Sequence, residues 1–415
     1  MEKLAQEIRI SVRGLERGMY VSRLDRPWLD TPFPLEGVGL KTEEDIEKLQ
    51  RICSYVYIDT QRGVGPDLRF LEFSDDPLVR SAKGQEELDA LRKTNWEVTT
   101  DLESEVKQAK EAHRSLQAGI AEVMGDLKEG RHLDLQKLKD GVEAMVDSIV
   151  RNPSAFTWLM EIKRRDDYHY QHALSCAIWA AAFGRHLGLE QQDLRNLALG
   201  GLLCDVGKTQ MPIELLAKPT ALTDSEADLV RQHVEHSLRI VGKTKGLPVN
   251  IIEMVASHHE RHNGSGYPLG LKGLEIPIYG RIMGLVDSYD AMTCARPYAA
   301  SRSPHKAVAE LYERRGSLFQ PELVEQFIQT CGIYPTGTLV ELSSGEVGVV
   351  TAVHSLKRLR PTIMLLLDEN KKPLAEFNMI DLTVSEVDRQ GEPLTVKSGL
   401  PSGAYGIDTH DLFLD

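Results

Sequence analysis

Eight of the thirteen histidines in this 415-residue chain fall between positions 169 and 262. They sit in "YHYQH", "GRHLGL", "RQHVEH" and "SHHERHNGSGYP", with aspartates in "GLLCDVGK" and "LVDSYDAMT". Imidazole nitrogens and carboxylate oxygens are donors that divalent cations accept. Presented from several helix ends, they can converge on metal ions inside a helical bundle. In "GLLCDVGK", Cys204 precedes Asp205, and Lys208 follows one turn later. Cys204 could be a soft thiolate ligand, a lesion in a metal site, or a small buried hydrophobe. Cys176 reads as a buried thiol. His169 and His186 read as surface residues or neighbours of a ligand, and Asp290 as a helix-surface residue or the neighbour of a ligand. His236 follows His233 by three, the spacing of one helix face. His262 lies beyond the 258–259 pair and faces substrate or solvent.

These residues need helices to position them. Apolar residues recur at helical spacing through "HALSCAIWAAAFGRHLGL", "DLRNLALGGLLCDVG", "EADLVRQHVEHSLRIV", "NIIEMVASHHE" and "GRIMGLVDSYDAMT". Thr223 and Glu226 have capping-box spacing before the third of these. Upstream, Leu102, Val106, Ala109, His113, Leu116, Ile120, Val123 and Leu127 alternate spacings of four and three, and Leu135, Leu138, Val142, Met145 and Ile149 continue the rhythm. Two helices with narrow apolar seams form a hairpin, which could pack on its neighbours or pair two copies of the chain. His113 sits in a seam and reads as a partly buried structural histidine.

The ends of the chain differ. "EIRISVRGL", "GMYVSRL" and "SYVYIDT" are strand-like, with one helical segment, "KTEEDIEKLQRI", between them. "YPTGTLVELSSGEVGVVTAVHS" and "PTIMLLLDENKKPLAEF" return to strand-like alternation, with a hairpin at "DENKKP". The expected organisation is an N-terminal α+β domain at 1–94, a helical hairpin at 95–151, a helical domain at 152–335 and a β appendage at 336–415. The fold class is mainly α with a small α+β domain before it and a small β subdomain after it.

Composition narrows the function. Apolar content of 41% and charged content of 27% are those of a globular chain. No apolar run approaches the ~20 residues of a membrane span. The N-terminus lacks the apolar stretch of a signal peptide, and five scattered cysteines suit a reducing compartment, so the expected location is cytoplasmic. A net charge of −13 disfavours binding to a nucleic-acid polymer. A small anionic substrate remains compatible if metal ions reverse the local field.

The order of His172, Asp205, Lys208, His233, the His258–His259 pair and Asp287, with "GSGYP" after the pair, resembles the HD-GYP domains. These are a branch of the HD phosphohydrolases that hydrolyse the bacterial second messenger cyclic di-GMP. The likeness spans about residues 150–335, and "NGSGYPLGLKGLEIPIYGRIMGLVDSYDAMT" carries most of its specificity. "PWLDTPF" and "YVYID" resemble the small domain of unknown function that often precedes HD-GYP domains. The resemblance implies an HD-type helical bundle with two divalent ions (iron, manganese or zinc). It implies His172, Asp205, His233, His258, His259 and Asp287 as ligands, Asp205 bridging, and Lys208 neutralising phosphate oxygens. Adjacent helical residues point about 100° apart, so His258 and His259 suit different ions. A pair of ions about 3.5–4 Å apart can hold a bridging hydroxide and clamp a phosphate for in-line displacement. Gly266, Tyr267, Pro268 and Arg296 are implied as substrate-binding, with Tyr267 offering a ring for stacking on guanine. The same loop implies a contact with diguanylate cyclase (GGDEF) domains.

The pattern is broken in places. Cys204 stands where the family has the histidine of its HD signature, so it is a candidate metal ligand by position. Ala299 and Ala300 stand where a lysine or arginine usually follows "PY", and Arg302 is the next cation that could reach the same phosphate. Some members place a glutamate where this chain has Tyr168, so two ions are expected rather than three. The expectation is a cyclic di-GMP phosphodiesterase yielding pGpG and, on further hydrolysis, GMP. The alternative is a degenerate member that binds cyclic di-GMP or a partner protein without turnover. An HD-type phosphohydrolase of another nucleotide fits less well, because the GYP loop is intact.

Overall fold

The computed structural model describes residues 7–26, 31, 33, 37–59, 62–64, 70, 82–162, 168–294, 302–354, 357, 359–385, 387, 391–401 and 403–407. The chain forms two compact units, Met1–Ser81 and Ala82–Asp415.

In the first unit, β1 (Glu7–Ser11), β2 (Tyr20–Leu24), β3 (Val38–Gly39) and β4 (Tyr55–Asp59) form an antiparallel sheet in the order β1-β4-β2-β3. Ile10, Val21, Val56 and Ile58 are buried, as period-2 alternation requires of a half-buried sheet. Helix α1 (Glu43–Ile52) starts at a capping box between Thr42 and Asp45 and buries Ile46 and Leu49. Strand β3 lies in "EGVG", which reads as a turn because two residues carry no periodicity. Of "PWLDTPF", residues 27–30 and 32 lie outside the described residues.

The second unit is helical at its centre. Helices α2 (Ala82–Leu91), α3 (Leu102–Lys128), α4 (Gln136–Arg151) and α5 (Pro153–Ile162) precede α6 (Tyr168–Leu187) and α7 (Gln191–Leu203). The seam of α3 is buried from Val106 to Leu127, and that of α4 at Leu138, Val142, Met145 and Ile149. The two helices pack on each other, on α5 and α6, and α4 also on α7, so the seams face the chain's own bundle. His113 is fully buried, its ring 6.4 Å from that of Phe156.

Next come α8 (Ile213–Leu216), α9 (Asp224–Arg231), α10 (His233–Val241), α11 (Val249–Ser257), α12 (Ile278–Thr293), α13 (Pro304–Glu313) and α14 (Pro321–Cys331). The capping box of Thr223 and Glu226 starts α9. Helix α6 is buried on all sides from Ala173 to Phe183, and α12 from Gly280 to Asp287. A helix apolar all round belongs in a core. The two are locked together by Trp179 against Tyr289 at 5.2 Å, and by Phe183 and Tyr289 against Phe327 of α14 at 5.1 and 5.3 Å. Truncating one of these rings would cost about 3–5 kcal/mol. The polar residues these helices carry are therefore held on rigid elements.

Strands β5 (Leu339–Leu342), β6 (Val347–Ala352), β7 (Thr362–Leu367), β8 (Pro373–Asp381) and β9 (Val396–Gly399) form an antiparallel sheet in the order β8-β7-β6-β5-β9. Its 368–372 turn follows from Asp368, whose Oδ1 accepts the N–H groups of Asn370 and Lys372 at 2.9 and 2.8 Å. Among the described residues no helix is long and apolar enough to cross a membrane.

Candidate metal centre

Five helices deliver donors to one buried point. His172 lies in the second turn of α6. Asp205 leaves the end of α7 at φ −102° and opens the 3-10 turn Val206–Gln210. That turn is fastened to α10 by Ser237, whose hydroxyl donates to the Cys204 carbonyl at 2.8 Å and accepts the Gly207 N–H at 2.8 Å. Gly207 lacks a side chain for a reason: a Cβ there would meet the carbonyl of His233 and the N–H of Ser237. The absence of that Cβ lets the Asp205 turn press against the start of α10, where His233 sits. His258 and His259 follow the last turn of α11, and Asp287 and Asp290 project from buried α12.

Two candidate cation sites share Asp205. One comprises Asp205, His233, His258 and His259; the other comprises His172, Asp205 and Asp287; within each, the donor atoms lie within 4.8 Å of one another. His233 Nδ1–H donates to the Val230 carbonyl at 2.6 Å, and His258 Nδ1–H to the Val255 carbonyl at 2.9 Å. Those bonds fix the tautomer and leave Nε2 of both rings as lone pairs. The lone pairs point at a carboxylate: His233 Nε2 is 3.1 Å and His258 Nε2 3.9 Å from Asp205 Oδ1. Neither Asp205 Oδ1 nor His258 Nε2, both buried, has a hydrogen-bond partner among the described residues. Nε2 of His259 lies 3.2 Å from Nε2 of His233. Lone pairs converging on a carboxylate repel unless a cation lies between them.

The second group has the same logic with other orienting groups. His172 Nδ1–H donates to Asp290 Oδ2 at 2.6 Å, which turns Nε2 toward Asp287 Oδ1 at 3.0 Å and Asp205 Oδ2 at 3.4 Å. Asp290 is wholly buried and lies behind His172 rather than on a helix surface. Of the two places its sequence allows, a helix surface or beside a ligand, it takes the second. Glu260 was missed: its carboxylate accepts the N–H groups of Leu269 and Leu271 at 2.7 and 3.0 Å and ties down the loop after "GYP". Its place beside the histidine pair is the one signal that could have flagged it.

The electrostatics suit cation binding. Burial alone would raise the Asp205 carboxyl, but the Lys208 ammonium and the His172 and His233 rings outweigh it and hold the carboxyl well below its ordinary value. Burial acts the same way on Asp287, and its contacts with the His172 and His259 rings outweigh it and hold the carboxyl far down. Burial pushes His258 down to about 4, against the pull of Asp205 and Asp287. Burial and the neighbouring His258 likewise push His259 well down. At neutral pH Asp205 and Asp287 are therefore ionised and the His258 and His259 rings neutral, the states that ligate cations.

Lys208 Nζ sits 2.5 Å from Asp205 Oδ2. Tyr267 stacks on His259, with centroids 4.7 Å apart and planes at 26°, and the Arg231 guanidinium lies 5.6 Å from its ring. Gly266 faces main chain: a Cβ there would meet the backbone of His259, Glu260 and Arg261. It allows the loop to lie on the ligand-bearing turn. Pro268 and Leu269 are exposed at the loop's tip.

Cys204, a candidate ligand by its position in the sequence, joins neither group. Its sulfur belongs to neither cation site among the described residues. The side chain is buried at the end of α7, and burial, with the charges of Asp205, Cys176 and Asp287, pushes its thiol well up, so it stays protonated. Cys176 Sγ lies 3.8 Å from His172, its thiol pushed up to about 12 by burial. Arg302 is paired with Glu310. His186 pairs with Gln326 at 3.0 Å and His236 with Gln210 at 2.8 Å. The His262 ring is half-buried, and its backbone N–H donates to Leu318. Arg296, Ala299 and Ala300 lie outside the described residues, as do the side chains of Tyr168 and His169.

A helical bundle whose α6, α7, α10, α11 and α12 converge on an aspartate-bridged pair of cation sites defines an HD-type protein, and residues 157–323 match the HD domain. Residues 7–138 match a domain of unknown function, DUF3391, and residues 339–386 a KOW domain associated with HD domain. A cyclic di-GMP phosphodiesterase of Pseudomonas aeruginosa is 31% identical over 376 residues, spanning 90% of this chain and 88% of that protein. A cyclic di-GMP phosphodiesterase of Thermotoga maritima is 33% identical over 166 residues, 40% of this chain and 45% of that protein. A 3'3'-cGAMP-specific phosphodiesterase of Vibrio cholerae is 32% identical over 159 residues, 38% of this chain and 30% of that protein. The chain belongs to the HD-GYP family.

Proposed function

We propose that the chain is a metal-dependent phosphodiesterase that opens cyclic di-GMP to pGpG and carries hydrolysis on to GMP. One observation bears most of the weight: the Nε2 lone pairs of His233 and His258, fixed by main-chain carbonyls, face the same Asp205 carboxylate that His172 faces from the other side. Residues Asp205, His233, His258 and His259 would hold one divalent ion. His172, Asp205 and Asp287 would hold a second. When bound, such ions neutralise phosphoryl charge as Lewis acids and acidify water. Iron, manganese and zinc all suit nitrogen and oxygen donors.

The chain's own residues supply orientation. The Val230 and Val255 carbonyls and the Asp290 carboxylate hold three rings in place before substrate arrives, which removes a reorganisation cost from the reaction. Lys208 places a point charge beside Asp205, within reach of a phosphate oxygen. Tyr267 fixes the plane of His259 by stacking. Its hydroxyl, pushed up by burial, remains a hydrogen-bond donor for substrate. Arg296 follows the family pattern as a phosphate- or guanine-binding residue. The substrate is supported by the names of the relatives, above all the one aligned over most of both chains. Exposed Pro268 and Leu269 at the loop tip support a docking role toward diguanylate cyclase domains, and a cyclic-dinucleotide substrate supports an intracellular location.

Cys204 gives the alternative of binding without turnover its footing, because the second site has three protein groups where the first has four. The test is incubation of protein loaded separately with iron, manganese or zinc with cyclic di-GMP, read by chromatography beside metal analysis. Product together with two ions per chain is the expected result. Binding of cyclic di-GMP with no product under any of the three metals overturns it in favour of the binding module.

A further inference from the structure

Beside the centre lies a cavity of about 320 Å³ whose floor is Asp205 and Lys208. Its walls are Met124 of α3, Met211, and Ile213 and Leu216 of α8, and its rim carries Lys128 of α3 and Tyr170 of α6. We propose that this cavity takes one purine base of the dinucleotide, and that Lys128 selects guanine over adenine there. The proposal rests on the centre being a phosphodiesterase acting on a cyclic dinucleotide.

The shared floor comes first. Asp205 belongs to both cation sites and Lys208 touches it at 2.5 Å, so a phosphate held at the centre places its own nucleoside at this opening. The walls suit a flat heterocycle. Two thioethers are soft and polarisable and pack on aromatic faces. Ile213 is 65% exposed although it stands next to a buried polar cluster. An apolar wall left open to water beside charged groups is the signature of a ligand cleft.

The rim supplies selectivity. Lys128 Nζ lies 3.4 Å from the Tyr170 hydroxyl and 5.5 Å from the centroid of its ring, and no carboxylate among the described residues is ion-paired with it. An ammonium only donates hydrogen bonds. Guanine presents two acceptors, N7 and O6, on its outer edge, whereas adenine presents N7 beside an amino donor. A donor-only group at that edge favours guanine and repels the adenine amino group. Lys128 and Met124 both come from the hairpin that precedes the HD bundle, so the hairpin would contribute to specificity and not only to packing.

The test compares wild type, Lys128→Ala, Lys128→Arg and Met124→Trp, all metal-loaded and full length. Substrates are cyclic di-GMP, cyclic di-AMP and bis(p-nitrophenyl) phosphate, a diester without a purine, with equilibrium binding of both dinucleotides measured in parallel. Lys128→Ala is expected to lose about tenfold in kcat/KM on cyclic di-GMP, mainly through KM, and to lose most of its guanine preference. Lys128→Arg keeps donors and retains the preference. Met124→Trp fills the cavity and weakens both dinucleotides more than the simple diester. An unchanged guanine preference in Lys128→Ala overturns the proposal. An equal loss on both dinucleotides also overturns it, because Lys128 would then read phosphate. Failure of the catalytic reading looks different: even bis(p-nitrophenyl) phosphate is not turned over. Dinucleotide binding then decides the cavity alone, and a guanine preference lost in Lys128→Ala supports it while an intact one refutes it.

Discussion

The two halves of the centre share one carboxylate but are held differently. In the histidine-rich half, His233 and His258 are oriented by the main-chain carbonyls of Val230 and Val255. In the carboxylate-rich half, His172 is oriented by a side chain, Asp290. A carbonyl survives substitution of its residue, but a carboxylate does not. The histidine half is therefore tolerant of sequence change around it. The other half is where a change registers, and it is beside that half that Cys204 replaces the signature histidine.

The comparison breaks most completely at the residue both halves share. Asp205→Asn removes the charge facing Nε2 of His172, His233 and His258 together. Several kcal/mol of charge stabilisation would be lost, on the order of a thousandfold in kcat. Metal analysis should report both ions weakened at once. Loss of one ion alone would mean that Asp205 does not bridge.

Acid is the next largest perturbation, and it acts on the histidine half. In the metal-free protein the folded value of His258 is depressed from 6.5 to about 4 by burial. The unfolded chain then binds more protons between those values, so stability rises with pH across that window and is lost as pH falls through it. The depression corresponds to at most about 3 kcal/mol. Urea midpoints of chelator-treated protein between pH 4 and 7 should show the slope, and His258→Gln should flatten it. An unaltered slope in that variant would assign the effect elsewhere.

Asp290→Asn tests the side-chain anchor. Loss of such an orienting carboxylate costs roughly 10–100-fold in metal affinity. The loss should fall on one of two ions, measured by competition with a chromophoric chelator, while the other keeps its affinity. Equal weakening of both, or of neither, would remove the distinction between the halves.

Much of the centre was legible in the sequence because its residues are bound to helix ends. His233 opens a helix, the 258–259 pair follows the end of one, and the box of Thr223 and Glu226 marks the start of α9. The hairpin seams were readable for the same reason, since Val106 to Leu127 and Leu138 to Ile149 repeat locally. What could not be read depends on packing between distant segments. Whether Asp290 lies on a helix surface or beside a ligand stays open until α12 is known to be buried. His113 reads as partly buried until Phe156 covers it. That Met124 lines one cavity with Ile213 and Leu216 is set by how α3 lies on the bundle, and no local period encodes that.

Cys204→Ala is the smallest effect and the sharpest test of the comparison. The sulfur joins neither cation site, and its thiol is pushed up by burial and by the charge of Asp205. Removing it should leave two ions per chain and change kcat by less than about threefold, an amount below 1 kcal/mol. A small packing loss, about 1 kcal/mol in urea midpoint, is expected for a buried group of that size. Cys204→His then separates position from chemistry. An imidazole reaches further from the same Cα than a thiol and can bring a fourth donor to the carboxylate half, which should tighten that ion and leave the histidine half as it was. If instead Cys204→Ala releases one ion, the sulfur is a ligand and the carboxylate half is built of four groups like its neighbour. The two halves would then differ in donor type and not in donor number.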